Sequence, residues 1–73
     1  MSKRVQINIK ALTTKHNISL RELARLSDIN HATLSNLSTG KRKNIHFAHI
    51  ERIAEALGIS DIREIIELDE DNS

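Results

Sequence analysis

The sequence predicts an all-α fold, a compact bundle of five short helices, and three observations predict it. Apolar residues recur at helical spacing in several short stretches, as at Leu20, Leu23 and Ala24 or at Phe47, Ile50, Ile53, Ala54 and Leu57. Residues suited to capping a helix stand before the stretches, at Asn8, Ser19, Asn30 and Ser60, and two stretches stop at glycines, Gly40 and Gly58, the residue favoured just past a helix end. Alternation of apolar and polar residues, the mark of a strand, is confined to the two ends of the chain. Seventy-three residues are enough for one domain, residues 1–73, and too few for a second.

Taken in order, the chain opens with Lys3 and Arg4 and then alternates through Val5, Gln6 and Ile7, a period that suits a short strand. Asn8 is placed to cap a first helix over Ile9 to His16, which buries Ile9, Leu12 and part of His16, and leaves Lys10 and Lys15 as ordinary surface lysines. Ser19 stands three residues before Glu22. In that S-x-x-E arrangement the Ser19 hydroxyl accepts from a first-turn amide, while the Glu22 side chain reaches back to the Ser19 N–H. Leu20, Leu23, Ala24 and Ser27 make the inner face of the second helix. Asp28, Ile29 and Asn30 then form a tight corner, with Asp and Asn tolerant of left-handed backbone and Ile29 turned into the core. Asn30 caps a third helix over His31 to Thr39, which buries Leu34 and Leu37 and ends at Gly40. The segment from Gly40 to His46 is a basic loop. The fourth helix carries Phe47, Ile50, Ile53, Ala54 and Leu57 as a core stripe, Gly58 ends it and Ile59 packs back. Ser60 caps a fifth helix, Asp61 to about Ile66, in which Ile62, Ile65 and Ile66 are apolar. Alternation returns from Ile66 to Asp69. Residues 1–7 and 67–73 therefore either pair as a short two-stranded ribbon, which would set Lys3 and Arg4 against Asp69, Glu70 and Asp71, or fray as free ends.

Net charge is only +1, yet the charge is divided along the chain. Residues 1–58 hold ten Lys or Arg against four acids, giving +6, and residues 59–73 hold Arg63 against six acids, giving −5. A basic body suits a polyanion, while the acidic end must point away from it or be neutralised by something else. Phe47 is the sole aromatic, so stacking on unpaired bases is not on offer, which argues against a binder of RNA or single strands. The chain has no cysteine and no apolar run of membrane-spanning or signal-peptide length, so the expected setting is the cytoplasm.

The stretch Ser19 to Gly40, SLRELARLSDINHATLSNLSTG, holds the features that point to function. On its second helix a 100° step puts Leu34 and Leu37 on one side and Ala32, Ser35, Asn36 and Thr39 on the other, with His31 and Thr33 near its start. That outward face bears no long side chain. Small hydrogen-bonding residues let a helix backbone approach another surface closely, and with Lys41, Arg42 and Lys43 directly after it such a face suits a DNA groove.

In SLRELA, the turn DIN, the run ATLSNLSTGK and the later IERIAEALGIS, the segment from about Asn8 to Ile66 resembles the helix-turn-helix family of Cro and the lambda-type repressors, the xenobiotic-response-element type of bacterial and phage regulators. The resemblance implies a lambda-repressor-like bundle with the helix-turn-helix at about residues 19–40, on helices two and three. Carried over position by position, it implies that Asn30, His31, Ala32, Thr33 and Asn36 face bases, and that Leu20 and Arg21, at the start of the first motif helix, lie against a phosphate. Ser35, Thr39, Lys41, Arg42 and Lys43 are the further phosphate contacts expected around that helix. The chain departs from the family pattern where Leu20 replaces a frequent Gln, Asp28 replaces a frequent turn Gly, and Thr13 and Ser38 replace a buried Arg and Glu pair, both members of which are lost together so that neither charge is stranded.

The expected function is that of a sequence-specific double-stranded DNA-binding transcriptional regulator, a repressor that reads a pseudo-palindromic operator as a homodimer, because one such domain reads only a few base pairs. Ile62, Ile66 and Leu68 are the candidate self-association residues, with burial inside the monomer as their other role. The alternative is a protein-interaction module, antitoxin-like or anti-repressor-like, acting through the acidic C-terminal segment. Enzymatic chemistry is not expected, and neither is a cofactor or metal: His46 and His49 at i, i+3 have no third ligand nearby, and capping and surface roles suit them. Asp69, Glu70 and Asp71 lack the glycine and spacing of a calcium loop, and Gly40-Lys41 lacks the earlier glycine of a P-loop.

Overall fold

The computed structural model describes residues 2–41 and 44–71. Its elements run β1 (Ser2–Ile7), α1 (Ile9–Lys15), α2 (Leu20–Ser27), α3 (His31–Thr39), α4 (Phe47–Leu57), a 3-10 turn (Ile62–Glu64) and β2 (Ile66–Asp71). The helices enclose one core, in which Ile9 and Leu12 of α1, Leu23 and Ala24 of α2, Ile29 of the corner, Leu34 and Leu37 of α3, Ile53 of α4 and Ile65 are all buried. Burying each Leu or Ile contributes about 1.5–3 kcal/mol before entropy is charged against it. α2 packs on both α3 and α4, and α1 packs on α2 and α3, so the motif helices sit at the centre of the bundle.

Local chemistry sets most helix ends where the sequence places them. Ser19 Oγ accepts from the Glu22 N–H at 3.0 Å and fixes the start of α2. The reciprocal half of the expected box does not form, since the Glu22 carboxylate instead takes Arg25 Nε at 2.5 Å. Ser27, the buried polar residue on the inner face of α2, keeps its hydroxyl satisfied by donating to the Leu23 carbonyl at 2.6 Å. Gly58 closes α4 at φ 65°, a left-handed conformation that glycine adopts without a Cβ penalty, and lets the Ile59 N–H return to the Ala54 carbonyl at 2.9 Å. Asn8 does not cap α1 with its side chain. Its N–H instead donates to the Ile65 carbonyl at 2.8 Å, one step beyond the end of β1, and its backbone stands at φ −91°, ψ 42°. Thr13 and Ser38 are half-buried, and the Thr13 hydroxyl is satisfied locally by the Lys10 carbonyl at 2.9 Å.

The fold differs from an all-α five-helix bundle in two places. Among the described residues there are four α-helices, because the expected fifth is a single 3-10 turn. Asp61, not Ser60, caps it by accepting the Arg63 N–H at 2.9 Å. The chain cannot extend it, since Ile65 must enter the core and Ile66 must lie across from Ile7. The termini pair rather than fray: β1 and β2 form an antiparallel ribbon in the register Lys3↔Glu70, Arg4↔Asp69, Val5↔Leu68, Gln6↔Glu67 and Ile7↔Ile66. Lys3 and Glu70 close an ion pair across its outer end. Residues 1, 72 and 73 of the expected terminal segments lie outside the described residues.

Phe47 is the second correction within the helices. Expected in the core stripe of α4, it is 81% exposed, while Ile53 is fully buried and Ile50, Ala54 and Leu57 are packed against the core. Helical side chains lean towards the N-terminus, so the first residue of α4 projects past the end of the stripe that its spacing suggests.

Candidate nucleic-acid interface

The interface begins at the corner that joins α2 to α3. Asp28 takes the left-handed conformation at φ 55°, and the Ile29 N–H reaches the Ala24 carbonyl at 3.1 Å, which swings Ile29 into the core at 5% exposure. Asn30 Oδ1 then accepts the Ala32 N–H at 2.8 Å, so α3 starts directly after the corner. From α4, Arg52 Nη1 donates to the Asp28 carbonyl at 3.4 Å and ties the corner to the far helix. A rigid turn with three independent fixings holds α3 at a set angle to α2.

α3 is anchored by Leu34 and Leu37 and leaves its other side open. His31, Ala32, Asn36 and Thr39 are exposed, and Thr33 and Ser35 are half-buried beside them. Of the five residues expected to face bases, His31, Ala32, Thr33 and Asn36 thus share one accessible helix surface, with Asn30 at its head. Asn30 keeps its amide N–H groups and one lone pair of its oxygen for another partner, the other lone pair being committed to the cap. The Asn36 side-chain amide makes no hydrogen bond among the described residues, which leaves both its donor and its acceptor available for bidentate contact. Gly40 at φ 81° ends the helix and delivers Lys41 at its C-terminal end.

Charge is distributed unevenly around this surface. Among the described residues Lys3, Lys15, Arg25 and Arg63 are each paired with an acid, and the Glu22 hydrogen bond and charge raise the Arg25 pKa further, keeping the guanidinium protonated. Arg21 at the start of α2 and Lys41 after α3 are exposed and make no ion pair among the described residues. Arg42 and Lys43 lie outside the described residues, as does any side-chain geometry for them. Ser35 and Thr39 lie along the open side of α3, the Thr39 hydroxyl donating weakly to the Asn36 carbonyl at 3.4 Å.

The three candidate association residues differ in exposure. Ile62 on the 3-10 turn and Leu68 on β2 are exposed, at 56% and 64%, whereas Ile66 is half-buried opposite Ile7. Sequence reasoning missed Val5, which lies across from Leu68 and is 61% exposed. The signal for it was present in the matching alternation of Val5-Gln6-Ile7 and Ile66-Glu67-Leu68.

His46 occupies the N-cap position of α4 without capping through its side chain, and its ring instead meets that of His49 edge-on at 5.1 Å between centroids. No group of three or more His, Cys, Asp or Glu that could hold a metal occurs among the described residues, and no helix there is long and apolar enough to cross a membrane. Compared with known proteins, residues 8–71 match the family model for Cro/C1-type helix-turn-helix DNA-binding domains. No curated protein and no solved structure gives a significant match.

Proposed function

This chain belongs to the Cro/C1-type helix-turn-helix DNA-binding domain family, and from that premise we propose that it is a sequence-specific regulator of transcription, a repressor that binds a pseudo-palindromic operator as a homodimer. The observation that carries the reading is the outward side of α3: exposed, free of long side chains, anchored by Leu34 and Leu37, and followed by Lys41, which like Arg21 of α2 makes no ion pair among the described residues. Asn30, His31, Ala32, Thr33 and Asn36 read base edges in the major groove. Arg21, Ser35, Thr39, Lys41, Arg42 and Lys43 hold the phosphates, with Ile62, Ile66 and Leu68 joining the subunits. Action through the acidic C-terminal segment on a basic protein is the weaker reading, because Asp61, Glu64 and Glu70 already pair with Arg63, Lys15 and Lys3 of the same chain.

His31 to Thr39 contains no Arg or Lys, the usual partners of guanine, while Asn36 suits adenine and the methyls of Ala32 and Thr33 suit thymine. Half-sites selected from random duplex DNA are therefore expected to lean towards A·T at the contacted positions. Asn36→Ala is expected to cost about 1–3 kcal/mol at one base pair and to relax selection there, with non-specific affinity nearly intact. Selected sites that are mainly G·C, or an Asn36→Ala variant with wild-type preference, would show that α3 does not read bases in this way.

A further inference from the structure

Strand β1 lies outside the segment that matches the family, which begins at residue 8, so its role is not assigned by that match. Its backbone has one committed edge and one open edge. The Asn8 N–H donates to the Ile65 carbonyl one step beyond the Ile7↔Ile66 pair, so by the alternation of an antiparallel ladder Gln6 and Arg4 turn their backbone groups towards β2. Lys3, Val5 and Ile7 consequently aim theirs at the outer edge. Beside β1 is a groove of about 570 Å³, lined by residues 3–7 of the strand on one wall and by residues 37–40 at the end of α3 on the other. No β2 residue is among the described residues that line it, which places it on the open side of the strand.

The two cations on the strand wall differ. Lys3 is neutralised by Glu70 across the ribbon, whereas Arg4 makes no ion pair among the described residues although Asp69 is its partner in the register. We infer that this groove is a second contact site for the DNA sugar-phosphate backbone, with Arg4 as its phosphate-binding residue, so that β1 extends the footprint of α3 beyond Lys41. The inference rests on the reading of α3 as the DNA-reading helix. Charge complementarity favours a phosphate: the groove offers the Arg4 guanidinium, outward N–H groups and the hydroxyls of Ser38 and Thr39, and no carboxylate among the described residues lines it.

The test is titration of the whole chain with a mixed-sequence duplex over a range of salt concentrations, since phosphate contacts do not depend on sequence. Arg4→Ala is expected to lower affinity for all duplexes alike and to reduce the slope of log K against log salt by about 1, with an unchanged melting temperature. Lys10→Ala removes the same charge from an exposed α1 position outside the groove and is expected to keep the wild-type slope. A wild-type slope in Arg4→Ala overturns the inference, including the case in which the groove instead takes an acidic peptide. An equal loss in Lys10→Ala also overturns it, because the effect is then one of overall charge. Loss of binding in Lys41→Ala beside wild-type behaviour in Arg4→Ala leaves the α3 reading standing and removes only the groove. A wild-type chain that binds no duplex at all removes both.

Discussion

Asp61 shows how one side chain fixes both a turn and a pH response. Its carboxylate accepts the Arg63 N–H at 2.9 Å and the Arg63 guanidinium at 2.8 and 3.1 Å, and these bonds hold its pKa down to about 2, from 3.8. The folded state therefore binds the Asp61 proton less readily than the unfolded chain does. The resulting stability is fully present above the unfolded value and is lost as pH falls from about 4 to about 2. Asp61→Asn is expected to lower the melting temperature slightly at neutral pH, with the gap from wild type closing across that window. A gap that stays constant down to pH 2 would assign the effect to shape rather than charge. The turn's sequence reading placed the cap at Ser60, one residue early, because Ser and Asp are equally good caps and only the backbone path towards Ile65 separates them.

At the scale of elements, α4 holds the sharpest contrast. Ile53 is fully buried and Phe47 is 81% exposed on the same helix. Ile53→Ala is expected to cost about 2–5 kcal/mol in urea unfolding, while Phe47→Ser should stay within about 0.5 kcal/mol of wild type. Comparable losses in the two variants would mean that Phe47 is covered in the folded protein. The same contrast marks where sequence is informative. α2, the corner and α3 were legible to the residue because their signals are local: Ser19 and Asn30 bond amides two or three residues ahead, and Gly40 answers a local demand for positive φ. Phe47 and the missing fifth helix were not legible, because one depends on where the bundle ends and the other on Ile66 meeting Ile7 from the opposite end of the chain. In the candidate site the helix surface was legible. Arg4 was not, since nothing in the sequence places β1 beside the end of α3.

For the whole molecule, the charge division seen along the sequence is bridged by the fold at two ion pairs among the described residues. The basic start and the acidic end lie side by side, joined by Lys3–Glu70 and, further in, by Lys15–Glu64. Such exposed pairs contribute little singly, about 0–1 kcal/mol. The apolar cross-strand pair Val5 and Leu68 on this ribbon remains open to water. If two subunits meet there, Leu68→Asp is expected to give a folded monomer that binds a half-site weakly, as seen by sedimentation with and without DNA. A wild-type chain that sediments as a monomer both free and on its operator would rule out the homodimer. The ribbon also imposes an order on folding. Because β1 and β2 are separated by all four helices, closing them from a disordered state costs about 3–4 kcal/mol in loop entropy, and packing of the helices between them is what brings the two strands together beforehand. In the order of synthesis β1 precedes β2 by all four helices and has no partner strand until β2 follows, so the helical core is expected to form on its local contacts and the ribbon to close after it.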